Sequence, residues 1–597
     1  MTKKYYSKEH LKFLLYDVHQ VERLLEYDYY SVHDRATFDL FLDATEDVAS
    51  EHFYPILTEM DRNEPQLTDG RVRVHPNMRK IMEIMGEGGW ISSAAPYELG
   101  GNQIPTTIMY AASFIMGCAN YSVTAFPFLS MGAAGLIASF GSEEQKAKYI
   151  PRIFNGTWQG TMALTEPGAG SSLSDITTTA VPAGDGCYKI QGQKIFISCG
   201  DSDAVDNVVH LMLARIKGAP AGVKGISLFI VPRERINADG TLTCNDIATA
   251  GLYHKMGYKG APIVHLAIGE HEDCYGELLG EANKGLSYMF QMMNEARISV
   301  GLHATSIATA AYYASLQYTR ERSQGRPVTA KDPNLPPVPI IQHADVRRLL
   351  LAQKAFVEGA LSLEIQCSMY EDLRKVTSGE ESERYSLMLD LLTPVAKSYP
   401  SETGCLSTSW ALQCLGGYGF TKDFPQEQYY REVRIHPIHE GTTAIHGLDL
   451  LGRKVMAKNG QGIMYLMQEV MQEISTGEQH PDTAAAAAAL KKRIQILQET
   501  TMHLFKVAQQ EGPDVFLSDA TLYLEMFGIM VMSWQWLKIA NIAQQQLVNR
   551  PGDTFLQSKI TCLKYFFEYE LIKVDYLSKR LKSEVRITTQ LNEEELD

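Results

Sequence analysis

The sequence predicts a multidomain α+β protein with an N-terminal all-α domain, a middle antiparallel β-domain, a C-terminal α-helical bundle and an additional C-terminal helical domain. Its 597 residues correspond to about four domains of roughly 150 residues each. The hydrophobic pattern changes from helical to strand-like near Thr161 and returns to helical near Glu281. Apolar residues make up 45% and charged residues 21% of the chain, a composition that excludes a disordered or collagen-like protein.

The first part of the chain is predicted to be helical. Ala44, Val48, Phe53 and Ile56 recur at near-helical spacing within residues 43–60. We place a helical N-terminal arm before the four domains. The boundaries of the five parts are 1–39, 40–160, 161–278, 279–458 and 459–597.

Short runs rich in Thr, Val and Ile mark the β-domain. Asp185-Gly186, between residues 177–181 and 187–190, is the best hairpin signal in the chain. Further strands are predicted over residues 208–216, 225–231 and 263–268. Together these runs predict a β-domain in the middle of the chain.

Helical periodicity returns after the β-domain. Leu286, Met289, Phe290 and Met293 form one apolar face. A proline-rich stretch then predicts a loop, because proline lacks the amide that a helix needs. Its prolines are Pro327, Pro333, Pro336, Pro337 and Pro339.

Helices are predicted to resume over residues 343–458. A glycine-rich and polar zone over residues 459–481 is expected to precede the last helical segment, which starts at the alanines of 484–489. Aromatic residues are dense over 504–536, so we expect this tail to bury an apolar face on the core or on another subunit.

Composition also excludes several classes of function and location. The formal net charge of −15 opposes binding to a nucleic-acid backbone. Nine scattered cysteines without a CxxC motif indicate reduced thiols and a cytoplasmic protein. The N-terminus leads into no apolar signal-peptide core. The apolar runs 111–116 and 126–140 are expected to fall short of a membrane span, so no membrane insertion is predicted.

The first candidate site is the glycine-rich stretch 161–172. Gly168, Gly170, Ser171 and Ser172 allow backbone amides and hydroxyls to approach an anionic or polar ligand. An ordinary glycine-rich loop is the alternative. The stretch lacks the third glycine and the βαβ setting of a dinucleotide fingerprint.

The second candidate is the strand that ends in Phe196, Ile197 and Ser198. It is either an ordinary half-buried strand or a strand whose aromatic ring and hydroxyl flank a flat cofactor ring. A third candidate is Glu440, whose apolar neighbours Ile438 and Ile445 suit it to general-base work by raising its pKa. The alternative for Glu440 is a capping or surface carboxylate.

A metal site at His436, His439 and Glu440 is rejected. The zinc motifs that combine two histidines with a glutamate require a continuous helix, and Pro437 interrupts one here. We therefore expect no metal.

The order of these motifs resembles the acyl-CoA dehydrogenase family. The resemblance rests on five boxes and covers about residues 40–458. The boxes are Leu164-Thr-Glu-Pro-Gly-Ala-Gly-Ser171, Phe196-Ile-Ser198, the Arg322 segment, Gln413 with Gly416-Gly417, and Glu440-Gly-Thr442. The stretch His254-Lys-Met-Gly-Tyr-Lys-Gly-Ala-Pro262, the phrase Tyr288-Met-Phe-Gln-Met-Met-Asn294 and Arg322-Ser-Gln-Gly325 resemble a subgroup with an added C-terminal helical domain, which includes 3-methylmercaptopropionyl-CoA dehydrogenases and bacterial fatty acyl-CoA dehydrogenases.

The resemblance implies an FAD enzyme that oxidises an acyl-CoA thioester to the trans-2-enoyl-CoA. Glu440 is implied to remove the α-proton while a hydride passes from the β-carbon to flavin N5. The implied FAD contacts are Met162, Ala163, Leu164, Thr165, Gly170, Ser171, Phe196, Ile197, Ser198, Arg322, Gln413, Gly416, Gly417 and Thr442. The implied substrate contacts are Ser171, Asn294, Arg297 and Gly441.

The resemblance also implies partners. Arg322, Gln413, Gly416 and Gly417 are implied to reach FAD of a neighbouring subunit, which gives a homodimer or homotetramer. Electrons are implied to pass to an electron-transfer flavoprotein; an acyl-CoA oxidase that reduces oxygen, or a DNA-associated flavoprotein, are the alternatives. The DNA alternative is disfavoured, because such flavoproteins carry a basic C-terminal domain and the C-terminal domain of this chain is acidic. His439 replaces a usual Tyr, either for packing or to tune Glu440.

Overall fold

The computed structural model describes residues 4–184, 186–237, 239–330, 332 and 334–597, without the side chains of residues 290–294. Contacts divide the chain into two units. The first unit is Val32–Ala296, and the second combines residues 4–31 with Arg297–Asp597. The predicted hairpin residue Asp185 and the loop residue Pro333 lie outside the described residues, as do the side chains of Phe290 and Met293 in the predicted apolar face.

Helices dominate the first 160 residues, as predicted. They are α1 (Lys8–Lys12), α2 (Arg35–Val48), α3 (Leu57–Arg62), α4 (Asn77–Glu87), α5 (Thr106–Phe140) and α6 (Glu143–Phe154). A π-helical turn at Ala49–Phe53 follows α2 and keeps Ala49 and Phe53 buried. A short hairpin of β1 (Gln66–Thr68) and β2 (Arg71–Arg73) interrupts the helical part and was not predicted.

Helix α5 corrects the expectation that the apolar runs are too short to span a membrane. The runs join into one helix of 35 residues, long and apolar enough by length and composition to cross one. In this fold it is a core helix, because 56% of its most apolar window is buried inside the protein. Asn120 interrupts its helical dihedrals, and Pro127 lies within it.

The predicted β-domain is an eight-stranded sheet. Its strands are β3 (Trp158–Ala163), β4 (Thr179–Gly184), β5 (Cys187–Ser198), β6 (Asn207–Ile216), β7 (Ile226–Pro232), β10 (Ile247–Leu252), β11 (Ile263–Ile268) and β12 (Tyr275–Leu278), with β8 (Glu234–Ile236) and β9 (Leu242–Cys244) as a separate hairpin. The path runs β10-β11-β5-β12-β7-β6-β3, with β4 beside β5 and β6. The pairing is antiparallel except where β6 lies parallel to β3 and to β4.

A bulge near the end of β5 matters for the site. Val264 pairs with Ile197 and Leu266 with Lys194, so two residues of β5 lie opposite one residue of β11. One of the two is Phe196, whose φ of +57° is rare for an aromatic residue. The bulge redirects this side chain, a common use of bulges beside active sites.

The second unit is helical. Its helices are α7 (Gly285–Glu321), α8 (Ala344–Val376), α9 (Gly379–Leu415), α10 (Gln426–Val433), α11 (Thr443–Gly452), α12 (Gln461–Gly477), α13 (Pro481–Glu511), α14 (Pro513–Leu517), α15 (Ala520–Asn549), α16 (Thr554–Tyr569), α17 (Lys573–Leu581) and α18 (Ile587–Gln590). The first turns of α7, before Arg297, belong to the first unit. The glycine-rich and polar zone over residues 459–481, expected to precede the last helical segment, is itself mostly the helix α12.

The reason for that error is a buried stripe that the polar composition conceals. Leu466, Val470 and Ile474 repeat every four residues and are all buried. The predicted apolar face of the tail is present in α15, most of whose residues are buried. There the Trp536 indole donates a hydrogen bond of 3.0 Å to the Ala355 carbonyl of α8. The tail therefore packs on the helical bundle of its own chain.

Candidate active site

In the first unit, the glycine-rich stretch forms a tight loop after β3. The Glu166 amide donates to the Ala169 carbonyl at 2.9 Å, and the Ala169 amide donates back to the Glu166 carbonyl at 3.0 Å. Of the predicted FAD contacts, Met162 and Ala163 end the strand. Leu164, Thr165, Gly170 and Ser171 follow in the loop, with Gly170 and Ser171 exposed.

A buried ion pair anchors this loop. The Lys194 ammonium lies 2.8 Å from Glu166 Oε1 and donates to the Leu164 carbonyl at 3.1 Å. Glu166 also accepts from the Thr177 and Thr178 amides. Burial alone would raise the pKa of Glu166, but the charge and hydrogen bond of Lys194 lower it to about 2. Glu166 is therefore a permanently charged anchor of the loop.

The bulged end of β5 presents an aromatic face. Phe196 is 58% exposed, and its ring stacks on Tyr253 with centroids 4.6 Å apart. The next residue, Ile197, is buried, whereas Ser198 is partly exposed. The Ile195 amide donates to the Thr165 carbonyl at 2.9 Å, which ties this strand end to the glycine-rich loop.

These residues fit the parts of FAD. A Cβ at Gly168 has no atom within 4 Å, and one at Gly170 meets only the Thr165 methyl at 3.8 Å. Open backbone with adjacent serine hydroxyls suits an anionic pyrophosphate. The exposed face of Phe196 suits a flat isoalloxazine ring.

In the second unit, Glu440 lies in a turn between α10 and α11. Glu440 has φ of +52° and the next residue, Gly441, has φ of +91°. Thr442 then occupies the N-cap position of α11 without a side-chain capping bond. Two successive residues in the left-handed region turn the chain sharply, and Glu440 is not a capping carboxylate of this helix.

Two buried side chains bind the backbone of this turn. The Lys397 ammonium of α9 donates to the Gly441 carbonyl at 2.6 Å. The His446 Nε2 of α11 lies 3.1 Å from the Glu440 carbonyl. Burial lowers the pKa of His446 to about 3, so the ring is neutral and carries its proton on Nε2 to donate this bond.

The electrostatic setting of Glu440 suits a base. Burial raises its pKa above 4.5, while the positive charges of Arg297 and Lys397 oppose that shift. Arg297 is 6% exposed and lies 3.8 Å from Asp449 of α11. The predicted substrate contacts Arg297 and Gly441 are thus grouped around Glu440. Of the other two predicted substrate contacts, Ser171 lies in the glycine-rich loop, and the side chain of Asn294 lies outside the described residues.

His439, the residue before Glu440, contacts another histidine ring. Burial lowers its pKa to about 3, so the ring is uncharged near neutral pH. It sits edge-on to His436 with ring centroids 5.2 Å apart, and residues of this segment do not form a continuous helix. Within the described residues, no group of three or more His, Cys, Asp or Glu side chains could hold a metal ion.

The remaining predicted FAD contacts lie elsewhere on the second unit. Arg322 follows α7, while Gln413 and Gly416-Gly417 end α9, and all of them are exposed. One apolar cluster joins the two helix ends, since it contains Leu415 of α9 and Tyr318 of α7 packs against it. Nearby Phe420 is 98% exposed. Arg322, Gln413, Gly416 and Gly417 thus lie at the two helix ends that this cluster joins.

The sequence analysis missed Lys194, Tyr253 and Lys397. A lysine in an otherwise apolar and small-residue stretch, as at Thr393-Pro-Val-Ala-Lys397, is a usable signal, because lysine is seldom buried without a partner. Tyr253 carried no local signal, since its role comes from pairing across the sheet.

Family models match nearly the whole chain. The models described as acyl-CoA dehydrogenase N-terminal, middle and C-terminal domains match residues 36–157, 161–270 and 283–456. A model described as acetyl-CoA dehydrogenase C-terminal like matches residues 466–592.

Relatives named as acyl-CoA dehydrogenases agree with the family models. A 3-methylmercaptopropionyl-CoA dehydrogenase of Ruegeria pomeroyi is 36% identical over 88% of each chain. The broad-specificity linear acyl-CoA dehydrogenase FadE5 of Mycobacterium tuberculosis is 31% identical over 93% of each chain. A butyryl-CoA dehydrogenase of Syntrophomonas wolfei is 35% identical over 75% of each chain.

Among solved structures, an acyl-CoA dehydrogenase complexed with FAD from Bacillus anthracis shares the fold. The TM-score is 0.73 at 22% identity, over 96% of this chain and 91% of that one. A chain described with the electron transferring flavoprotein of Acidaminococcus fermentans has a TM-score of 0.57 at 26% identity, over 69% of this chain and 96% of that one. The predicted fold class is confirmed, and the chain belongs to the acyl-CoA dehydrogenase family of FAD-dependent oxidoreductases.

Proposed function

We propose that the protein oxidises an acyl-CoA thioester to its trans-2-enoyl-CoA, with Glu440 as the base that removes the α-proton. The observation that carries this proposal is the setting of Glu440. Its pKa is raised by burial and held in check by Arg297 and Lys397. A base must hold a proton well enough to remove it, yet be ionised at working pH.

The remaining chemistry is redox. FAD, when bound, supplies the acceptor for the hydride that leaves the β-carbon. The residues proposed to hold it are the loop from Met162 to Ser171 and the strand end Phe196-Ile197-Ser198. An anchored loop and a buried Ile197 give these contacts a rigid support. The Glu440 amide is proposed to donate to the thioester oxygen, where negative charge develops as the α-proton leaves.

The substrate proposed is a fatty acyl-CoA or 3-methylmercaptopropionyl-CoA. The Ruegeria, Syntrophomonas and Mycobacterium relatives carry names for the methylmercapto, butyryl and broad linear substrates. A panel of acyl-CoAs from C4 to C18 together with 3-methylmercaptopropionyl-CoA, compared by kcat/KM, distinguishes these classes.

The partners proposed are an electron-transfer flavoprotein and further copies of this chain. The exposed surface of Arg322, Gln413, Gly416 and Gly417, with Phe420 beside it, supports a homodimer or homotetramer that shares FAD contacts. A cytoplasmic location is proposed from the cysteine usage. Light scattering of the holoenzyme measures the oligomeric state.

The test of the base is Glu440→Gln, mixed anaerobically with the best acyl-CoA of the panel. Loss of flavin bleaching with FAD still bound supports the proposal. Glu402→Gln is the matched control, because this exposed carboxylate of α9 accepts a hydrogen bond from Thr443 next to the same turn. Normal bleaching in Glu440→Gln excludes Glu440 as the base.

The same preparation distinguishes a dehydrogenase from an oxidase. Re-oxidation by electron-transfer flavoprotein, with little peroxide formed per turnover in air, supports the dehydrogenase. One peroxide per turnover in air identifies an acyl-CoA oxidase instead.

A further inference from the structure

The turn that carries Glu440 is held at two consecutive carbonyl groups by side chains from two different helices. Lys397 of α9 binds the Gly441 carbonyl at 2.6 Å, and His446 of α11 lies 3.1 Å from the Glu440 carbonyl. Both side chains are fully buried.

The backbone of this turn needs such support. A non-glycine residue in the left-handed region costs about 1–3 kcal/mol and persists only where its surroundings fix it. Glu440 has φ of +52°, and glutamate gains no local hydrogen bond that favours this conformation, as Asn or Asp does. The two carbonyl bonds are the side-chain contacts that fix the turn, and the Thr443 amide also donates across it to the Pro437 carbonyl at 3.2 Å.

The packing around Gly441 makes the arrangement specific. A Cβ on Gly441 would lie 2.8 Å from His446 Nε2, so the imidazole lies directly against the glycine. Among the described residues, the buried Nδ1 of the His446 ring has no hydrogen-bond partner. The hydrogen bond that this ring makes there goes to the Glu440 carbonyl.

We propose that Lys397 and His446 are positioning residues that clamp the Glu440 turn and so aim its carboxylate at the α-proton. This inference rests on the proposed role of Glu440. Neither side chain is proposed to exchange a proton with the substrate. Lys397 adds a second effect, because its ammonium is one of the two cations acting on Glu440.

The charges around the clamp define its pH behaviour. The cations that act on Glu440 are Arg297 and Lys397. Burial lowers the pKa of Lys397 to about 8, while Glu440 and Glu402 raise it. Near neutral pH, Lys397 therefore stays largely protonated and favours the ionised form of Glu440.

The positive charges near His446 act on the pKa of its ring as well. Arg297, Lys397 and Lys454 lower its pKa further, and the bond to the Glu440 carbonyl opposes them. His303 and His439 are buried with their pKa values lowered to about 3, so both are neutral. Removing Lys397 thus removes one of two cations and raises the pKa of Glu440.

The experiment measures anaerobic flavin reduction of the holoenzyme against pH. We expect Lys397→Met to lower the limiting rate of reduction about 100-fold, the scale of a displacement of about 1 Å. The acid limb of the pH–rate profile of this variant should move to higher pH. Its affinity for acyl-CoA, measured from binding in the dead time of mixing, should change less than about threefold. Lys397→Arg should regain most of the rate, because it keeps a charged donor.

The second position is tested in the same assay. His446→Gln keeps an amide donor and should retain the rate within about threefold, whereas His446→Leu should lose about 10-fold, with the acid limb unmoved. Lys538→Met is the control, because this half-buried lysine of α15 donates to Gln366 of α8 and not to the Glu440 turn. It should leave both rate and pH profile unchanged.

Two outcomes overturn the inference. One is a normal limiting rate of flavin reduction, with an unmoved acid limb, in Lys397→Met. The other is an equal loss of rate in Lys538→Met, which identifies a general effect of removing a lysine from the helical unit. If Lys397→Met does not fold, Lys397→Arg still decides, because the clamp predicts an active enzyme there. A failure of the proposed function is separate, since it appears as normal flavin reduction in Glu440→Gln.

Discussion

The glycine-rich loop and the Glu440 turn use the same device with opposite results. In each, a fully buried lysine donates to a loop carbonyl: Lys194 to Leu164 at 3.1 Å and Lys397 to Gly441 at 2.6 Å. Lys194 also bonds directly to the nearby carboxylate, Glu166, at 2.8 Å. In the described structure Lys397 makes no such bond to the Glu440 carboxylate, and its positive charge lowers the pKa of that carboxylate without one.

This difference separates an anchor from a base. Glu166 has a pKa of about 2, because Lys194 and backbone amides bind its charged form. Glu440 has its pKa raised, because burial outweighs the two cations near it. A carboxylate whose oxygens are already bonded cannot accept a proton readily, whereas one opposed only by distant charge can.

The largest expected effect follows from removing the base. Glu440→Gln should lower the rate of flavin reduction by about 10⁴-fold, the upper range for a general base. The temperature of FAD release should stay within about 2 °C, since the neutral amide relieves burial of a charge. Flavin absorbance and fluorescence in one sample measure both quantities, and a shared loss of activity and FAD contradicts the division of roles.

The second largest effect is expected at Glu166, where a substitution should affect FAD release. Glu166→Gln leaves Lys194 buried without its counter-ion, which costs about 3–5 kcal/mol. We expect FAD to be released at a clearly lower temperature. Glu64→Gln is the matched control, because Glu64 pairs with Lys259 at 2.7 Å in the same unit while 27% exposed, and such a pair is worth up to about 1 kcal/mol. Equal effects of the two variants would refute the anchor.

Local patterns predicted much of the fold. The switch near Thr161, the strands around 208–216 and 225–231, and the hairpin before Cys187 depend on alternation and turn residues that lie close in sequence. Helix α12 escaped prediction because glycine and glutamine dilute its four-residue repeat of apolar side chains.

The site was predictable in its motifs but not in its support. Lys397 and Gly441 are 44 residues apart, and no periodicity links a lysine to a carbonyl at that distance. The bulge at Phe196 likewise depends on the register of β11, which only tertiary pairing fixes. The predicted FAD and substrate contacts stay predictions for the tests above.

The two carboxylates should also separate by pH. A base with a raised pKa loses its active form as pH falls through that pKa, so kcat/KM should drop tenfold per pH unit below a midpoint above 4.5. Glu166 has a folded pKa lowered to about 2, so its contribution is complete above about 4.5 and lost only as pH falls towards 2. FAD should therefore remain bound as the rate of reduction falls through the midpoint set by Glu440. FAD release in parallel with the rate contradicts this.

The smallest expected effect concerns the aromatic face at the flavin loop. Phe196→Leu removes the ring stacked on Tyr253 at 4.6 Å, worth about 0.5–1.5 kcal/mol, and should weaken FAD binding about three- to tenfold. Phe196→Tyr is the control, because it keeps the ring. The limiting rate of flavin reduction at saturating FAD should change less than about threefold, since the Glu440 turn keeps its own supports. A loss of rate comparable with that of Glu440→Gln would show that binding and proton abstraction are not supported separately.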